Sequence, residues 1–355
     1  MNAFLSSVPD GSTVTFAPGG CYLIDNTLFL RDRNGLVFEG NGATLRQLTD
    51  GSGVSPLPSP YHRIWPRQRA MWLTEGGSGL TWRHLRVEGP SPTCVYGGQR
   101  VEEQAAWHIN GTAGAVIEDS SAANVLGDFV AVQGTVTRVP AQQVVVRRNT
   151  VDCVGRMGVA VVNGVDVMIE RNTIRRTGRS MFDIEPPAPT WRAERITIRN
   201  NTVSEYNGVF VANHGNSGRV HDIVVTDNAA AGNLVVSATG PAEGERRSRY
   251  TIANNAAPGV YGSPRAVFRF TNIDDVVVDG NVQPLDGLLP AVWSGIGVSL
   301  VGSRNVVVAR NRFPEWVGRT KTQGIRPVVA DASSSIGRRC GNVVAAGLSP
   351  VDGRC

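Results

Sequence analysis

The segment MFDIEP, with Asp183 and Glu185 two residues apart, carries the sharpest chemical signal in this sequence. On a strand, residues at that spacing share one face, with Cα atoms about 6–7 Å apart. Their carboxyls can then reach the roughly 6.5–9.5 Å separation at which one acid protonates a leaving glycosidic oxygen while the other activates water. His214 in ANHGNS and Asp128 in LGDFV complete the candidate catalytic set, as an imidazole proton carrier and a third carboxylate. Arg156 in VGRMG and Arg179 in TGRSM hold equivalent positions one repeat apart, where a guanidinium could bind a carboxylate or acidify a neighbour. The candidate substrate contacts are these two arginines with Gln133, Trp191, Tyr206 and His108. Trp191, in the interrupting segment PPAPTWR, offers a flat face for a sugar ring. The plainer alternative is that these acids are solvated surface groups and that Asp183 only pairs with Arg179.

What must position these residues is a repeat. A short apolar strand, a polar pair and Asn recur in VVVRRNTV, VMIERNTI, ITIRNNTV, IVVTDNAA, YTIANNAA, VVVDGNVQ and VVVARNRF, placing Asn at 149, 172, 201, 228, 255, 281 and 311. AVIEDSSA puts Ser120 at the same place, and segments around Asn41 and His84 read as diverged copies. A unit of about 27 residues holding strands and turns cannot bury its own apolar face and must stack on copies of itself. The expected fold is all-β: a single-stranded right-handed parallel β-helix of about 9–11 coils, its handedness taken from the general preference of parallel crossovers. Asn at the bend is expected to tolerate the left-handed region and to ladder its amide with the neighbouring coil. A second strand column, DFVAVQ, MGVAVVN, MFDIEP, GVFVANHG, GNLVVSATG and AVFRFTN, carries the acids. Alternation turns Phe182, Ile184, Val209 and Val211 inward, and Asp183, Glu185, Phe210, Ala212 and His214 outward. His214 then lies one coil beyond the acids, with Gln133 and Asp128 one to two coils before them.

The chain divides as one domain over 1–355: a cap and first coil at 1–48, an inserted loop at 49–70, coils over 71–318 and a capping tail at 319–355. Its 355 residues, 41% hydrophobic and 18% charged, exclude disordered and collagen-like classes. The longest apolar run is far too short to cross a membrane as a helix, and Met1 to Asp10 lack the basic and apolar regions of a secretory signal. Net charge is +5, and Lys321 is the only lysine, so nearly all positive charge is guanidinium. No alternating basic and aromatic groove marks a nucleic-acid module. Five cysteines show no CxxC spacing; a Cys340–Cys355 bridge would pin the tail, whereas five reduced thiols are the alternative. Tyr61, His62, Trp65, Arg67 and Arg69 cluster in a Pro-rich insertion read as a packed surface loop, and PAEGERRSR (residues 241–249) reads as a solvated charge run.

The opening VPDGSTVTFAPGGCYLIDNTLFLRDRNGLVFEGNGATLR resembles the cap and first coils of the pectate-lyase-like superfamily. The resemblance implies an extracellular carbohydrate-active protein, because polysaccharide lyases, polygalacturonase-type hydrolases, epimerases and phage tailspikes share this scaffold. His214 is weakly similar to the polygalacturonase-type GHG segment, but the adjacent Asp pair and the RIK tripeptide that accompany it there are missing. Three readings follow. The first is a glycoside hydrolase using Asp183 and Glu185, with no cofactor. The second is a β-eliminating lyase, which needs Ca²⁺ or arginine to neutralise a uronate and a base such as Arg179 or His214. The third is a glycan-binding tailspike or adhesin module. The expected partner is a polysaccharide or oligosaccharide, with no nucleic acid and no membrane, and the assembly is a monomer or a trimer.

Overall fold

The computed structural model describes residues 1–48, 70–98, 101–102, 104–214, 217–257, 266–283, 296–313, 326–344 and 355. The cluster from Tyr61 to Arg69 and Lys321 lie outside these residues. The described chain forms three long parallel sheets of 13, 11 and 8 strands, with a further two-stranded pair, Arg312–Phe313 and Val343–Val344. Through Ala229–Ala231 the circuits lay strands in the three sheets in turn, each pairing with the equivalent strands of neighbouring circuits, and beyond it the third side is continued by isolated bridges. That connectivity is a parallel β-helix.

The repeat explains the winding. In Arg192–Arg199, Ala193, Ile196 and Ile198 are buried while Thr197 and Arg199 are partly exposed, and the same alternation recurs in Arg219–Thr226 and Ile273–Asp279. Stacked β-branched side chains therefore fill one continuous interior. Near the N-terminal end Phe38, Trp72 and Trp82 pack with centroids 4.8–5.8 Å apart. The helix Asn2–Ser7 buries Leu5 there, and the Asn2 amide bonds the Thr27 carbonyl and the Phe29 N–H. The exposed edge of the first circuit is thus covered, which protects a sheet edge from pairing with another chain.

The asparagines form a continuous buried ladder. Each Oδ1 accepts from the backbone N–H and the side-chain Nδ2 of the preceding Asn, as between Asn149 and Asn172 and between Asn172 and Asn201, through to Asn342. Each Nδ2 also reaches a carbonyl further up the stack, as Asn201 does to Ile169. The left-handed residue is not the ladder Asn but the one before it: Asp119, Arg148, Arg171, Asn200, Asp227, Asn254 and Arg310 all have φ near +50° to +58°. This corrects the conformational half of the sequence reading. The ladder residue keeps ordinary backbone so that its amide turns inward, and the preceding position makes the bend.

Cys340 and Cys355 are bonded, as one sequence reading allowed, and Cys94–Cys153 is a second bridge that spacing did not indicate. Cys21 is an exposed thiol. The charge run is not simply solvated. Arg246 pairs with Asp274 and Arg249 with Asp222, while Arg247 is 1% exposed inside the helix. Its guanidinium donates to Asn213 Oδ1 at 3.0 Å and to the Thr239 carbonyl at 2.8 Å, and the Tyr250 hydroxyl shares that Asn213 oxygen. Carbonyl and amide acceptors replace the water that a buried cation loses.

Candidate functional site

The 11-stranded sheet carries the acids. Along it Trp107–Asn110, Val130–Gln133, Val159–Val161, Phe182–Ile184, Val211–Asn213 and Val236–Thr239 follow one another, one per circuit. Phe182 and Ile184 face the interior, so Asp183 and Glu185 turn to the outer side of the sheet. Asp183 follows His108, Ala131 and Ala160 in register and precedes Ala212. Continuing that register sets Glu185 opposite His214. The small side chains beside Asp183 leave the floor low around it.

The two acids differ in setting. Glu185 is half-buried, whereas Asp183 is only 6% exposed. Burial pushes the Asp183 carboxyl up to about 8, and the charge of Glu185 adds to the rise while Arg156 opposes it. Burial thus favours the proton-bearing form of Asp183, with the half-buried Glu185 side chain two residues away. The alternative in which Asp183 merely pairs with Arg179 does not hold: Arg179 is exposed and lies over the Tyr96 ring, 5.0 Å from its centroid.

Two segments rise beside the floor. Residues 89–98, 101–102 and 104, between strands Arg86–Glu88 and Trp107–Asn110, run along the edge where these strands begin. Glycines stacked on that edge let their backbone lie close. A Cβ at Gly127 would stand 2.6 Å from the Val101 carbonyl oxygen, and one at Gly178 would stand 2.9 Å from the Tyr96 nitrogen. Cys94–Cys153 ties the segment down, and the Tyr96 hydroxyl donates to Glu102 at 2.9 Å. On the opposite edge, residues 134–140 and 186–191 meet through Arg138 and Thr190. Half-buried Trp191 stands there, its carbonyl accepting from the Arg219 N–H.

Several expected roles change. Asp128 is not a free third acid, because Arg156 Nη1 binds Oδ2 and the Met157 N–H binds Oδ1. Arg156 is correspondingly half-buried on that carboxylate and is not a free receptor for substrate; together they brace the circuit before Asp183. Tyr206 spends its hydroxyl on the Asn233 carbonyl, and burial raises it far above the usual phenol range, so it serves as neither base nor open contact. Phe210 is buried against Phe182 instead of facing outward. Asn213 points into the core, where its amide donates to the Ile184 carbonyl at 2.6 Å and links the Arg247 network to the peptide between the two acids. His108 and Gln133 are buried on the outer side of the sheet, His108 three circuits before Asp183 and Gln133 opposite Asn110.

Tyr96, Glu102 and the Cys94–Cys153 bridge were missed. The one available signal was the 36-residue interval from His84 to Ser120, which marks an insertion in the repeat. Among the described residues no group of three or more His, Cys, Asp or Glu side chains is placed to hold a metal ion, and the engaged Asp128 does not fit a Ca²⁺ ligand set. An open concavity of about 550 Å³ lies at another bend, lined by Asn41, His84, Asp119 and Arg148. There Arg148 pairs with Asp119 and the His84 ring lies on Glu39, so the two acids nearest it are already engaged.

Residues 103–257 match the family model described as "Right handed beta helix region". No curated protein matches the sequence. Among solved structures, the chain is similar to a hyperthermoactive exopolygalacturonase from Thermotoga maritima, with 10% identity, TM-score 0.67, and coverage of 100% of this chain and 89% of that one. It is also similar to an endo-xylogalacturonan hydrolase from Aspergillus tubingensis, with 14% identity, TM-score 0.61, and coverage of 94% and 89%. A surface adhesin, PfbA of Streptococcus pneumoniae, gives 12% identity, TM-score 0.52, and coverage of 88% and 84%. At these identities the likeness carries the fold, and the fold hosts both enzymes and binders.

Proposed function

Because the chain is a right-handed parallel β-helix, we propose that it is a carbohydrate-active protein, a glycoside hydrolase acting on a polysaccharide or oligosaccharide laid along the 11-stranded sheet. The observation that carries this reading is the pair itself: Asp183 buried, which raises its carboxyl, and Glu185 half-buried two residues on, both on the outer side of one strand. Asp183 donates its proton to the leaving oxygen, and Glu185 takes a proton from the water that attacks the anomeric carbon. His214, opposite Glu185, borders the water side, and Arg179 on Tyr96 borders the other edge. The lyase reading loses two of its candidate groups, Arg156 held on Asp128 and Tyr206 on Asn233, and keeps only Arg179 and His214. Two disulfides suit an oxidising, extracellular setting.

Digestion of a panel of neutral and uronate-containing polysaccharides tests the reading. New reducing ends without ultraviolet absorbance from an unsaturated uronate are expected. Absorbance rising with the reducing ends would mean a lyase, and retention of glycan with neither product would mean a binding module.

A further inference from the structure

Beyond the acid pair the sheet changes character. In register after Asp183 come Ala212, Ser237, Arg269 and Ser299, one per circuit, and Thr239 stands beside Thr271 in the neighbouring column. Val236, Ala238, Phe268 and Phe270 fill the interior, which turns Ser237, Thr239, Arg269 and Thr271 outward together. Ser237 is 1% exposed, yet its hydroxyl has no hydrogen-bond partner, and neither has the buried Thr271 Oγ1. Arg269 is exposed and, among the described residues, makes no ion pair. That sets it apart from Arg148, Arg195, Arg199 and Arg310, each locked onto a carboxylate one circuit away.

We propose that Arg269, with Ser237 and Thr271, forms a subsite for an anionic substituent of the glycan, a carboxylate or a sulfate ester. A planar guanidinium presents paired donors to an oxyanion, and two hydroxyls with unspent hydrogen bonds complete its coordination. Buried polar groups without partners cost free energy in the free protein, and a ligand oxygen supplies what they lack. Three circuits of about 4.8 Å separate Arg269 from Asp183, so the charged group sits roughly 14 Å along the sheet from the reacting bond. The subsite rests on the glycan lying along this sheet but not on Asp183 acting as the acid.

Calorimetric titration of the native chain, Arg269→Gln and Ser237→Ala with three probes tests it: hexagalacturonate, its methyl ester and a sulfated galactan oligosaccharide. The native chain is expected to prefer a charged probe to the ester, and the preferred probe identifies carboxylate or sulfate. Arg269→Gln should weaken that probe about tenfold or more and leave the ester unchanged, while Ser237→Ala should weaken it about threefold. Native affinity no higher for either charged probe than for the ester, or unchanged affinity in Arg269→Gln, would overturn the subsite. Asp183→Asn run alongside separates the two claims. Its retained binding with lost cleavage supports both, whereas undiminished cleavage removes Asp183 as the acid and leaves the Arg269 result standing.

Discussion

Asp183→Asn is expected to lower turnover by about 10²–10⁴-fold, the contribution of a positioned general acid. The amide keeps the shape of the carboxyl but has no proton to give. The loss should shrink on substrates whose leaving group departs without protonation, because the missing step is then unnecessary. Glu185→Gln should lose a comparable factor on every leaving group, since activation of water is needed in each case. The native rate should fall as pH rises through about 8, where Asp183 gives up its proton, and this alkaline limb should vanish in Asp183→Asn. Steady-state kinetics on matched activated and unactivated glycosides reads all three effects.

The same titration affects stability. The folded Asp183 carboxyl is raised above its ordinary 3.8, so the native state retains a proton that the unfolded chain releases. Its contribution is full below the unfolded value and is lost as pH rises through about 8. Asp183→Asn, which never ionises, should therefore melt higher than the native chain near pH 8 and close to it near pH 4. A site that trades stability for a proton-bearing acid would show this opposition of activity and melting temperature.

The second large effect is structural. Asn201→Ala should cost about 2–4 kcal/mol, because it strips the acceptor from the Asn172 N–H and Nδ2 and the donor from the Ile169 carbonyl, all deep in the stack. Exposed Thr202, the next residue, provides the control: Thr202→Ala should stay within about 0.5 kcal/mol. Denaturant titration of both checks it, and equal midpoints would show that the ladder adds little to the helix.

The winding was legible because it is periodic. Seven Asn positions 23–30 residues apart revealed the circuits, and alternation around Phe182 and Ile184 revealed which way the acids face. What escaped depends on contacts between circuits that have no period. Asp128 and Arg156 were read as two free groups, but they lie one circuit apart and neutralise each other. Cys94 finds Cys153 across 59 residues because an insertion folds back over stacked glycines. Arg247 looked solvated among charged neighbours, yet strand alternation sends it inward to the Thr239 carbonyl of the preceding strand and the Gly218 carbonyl one circuit back. Asp183 was legible as an outward acid, whereas its burial follows from the packing around it, and that burial separates the donor from the base.

The most direct measurement is an infrared titration of the native chain against Asp183→Asn, following the protonated-carboxyl stretch. A band is expected at neutral pH that the substitution removes and that fades in the native chain with a midpoint near 8. Identical spectra at neutral pH would mean that Asp183 is ionised there, and the assignment of Asp183 as proton donor would fail.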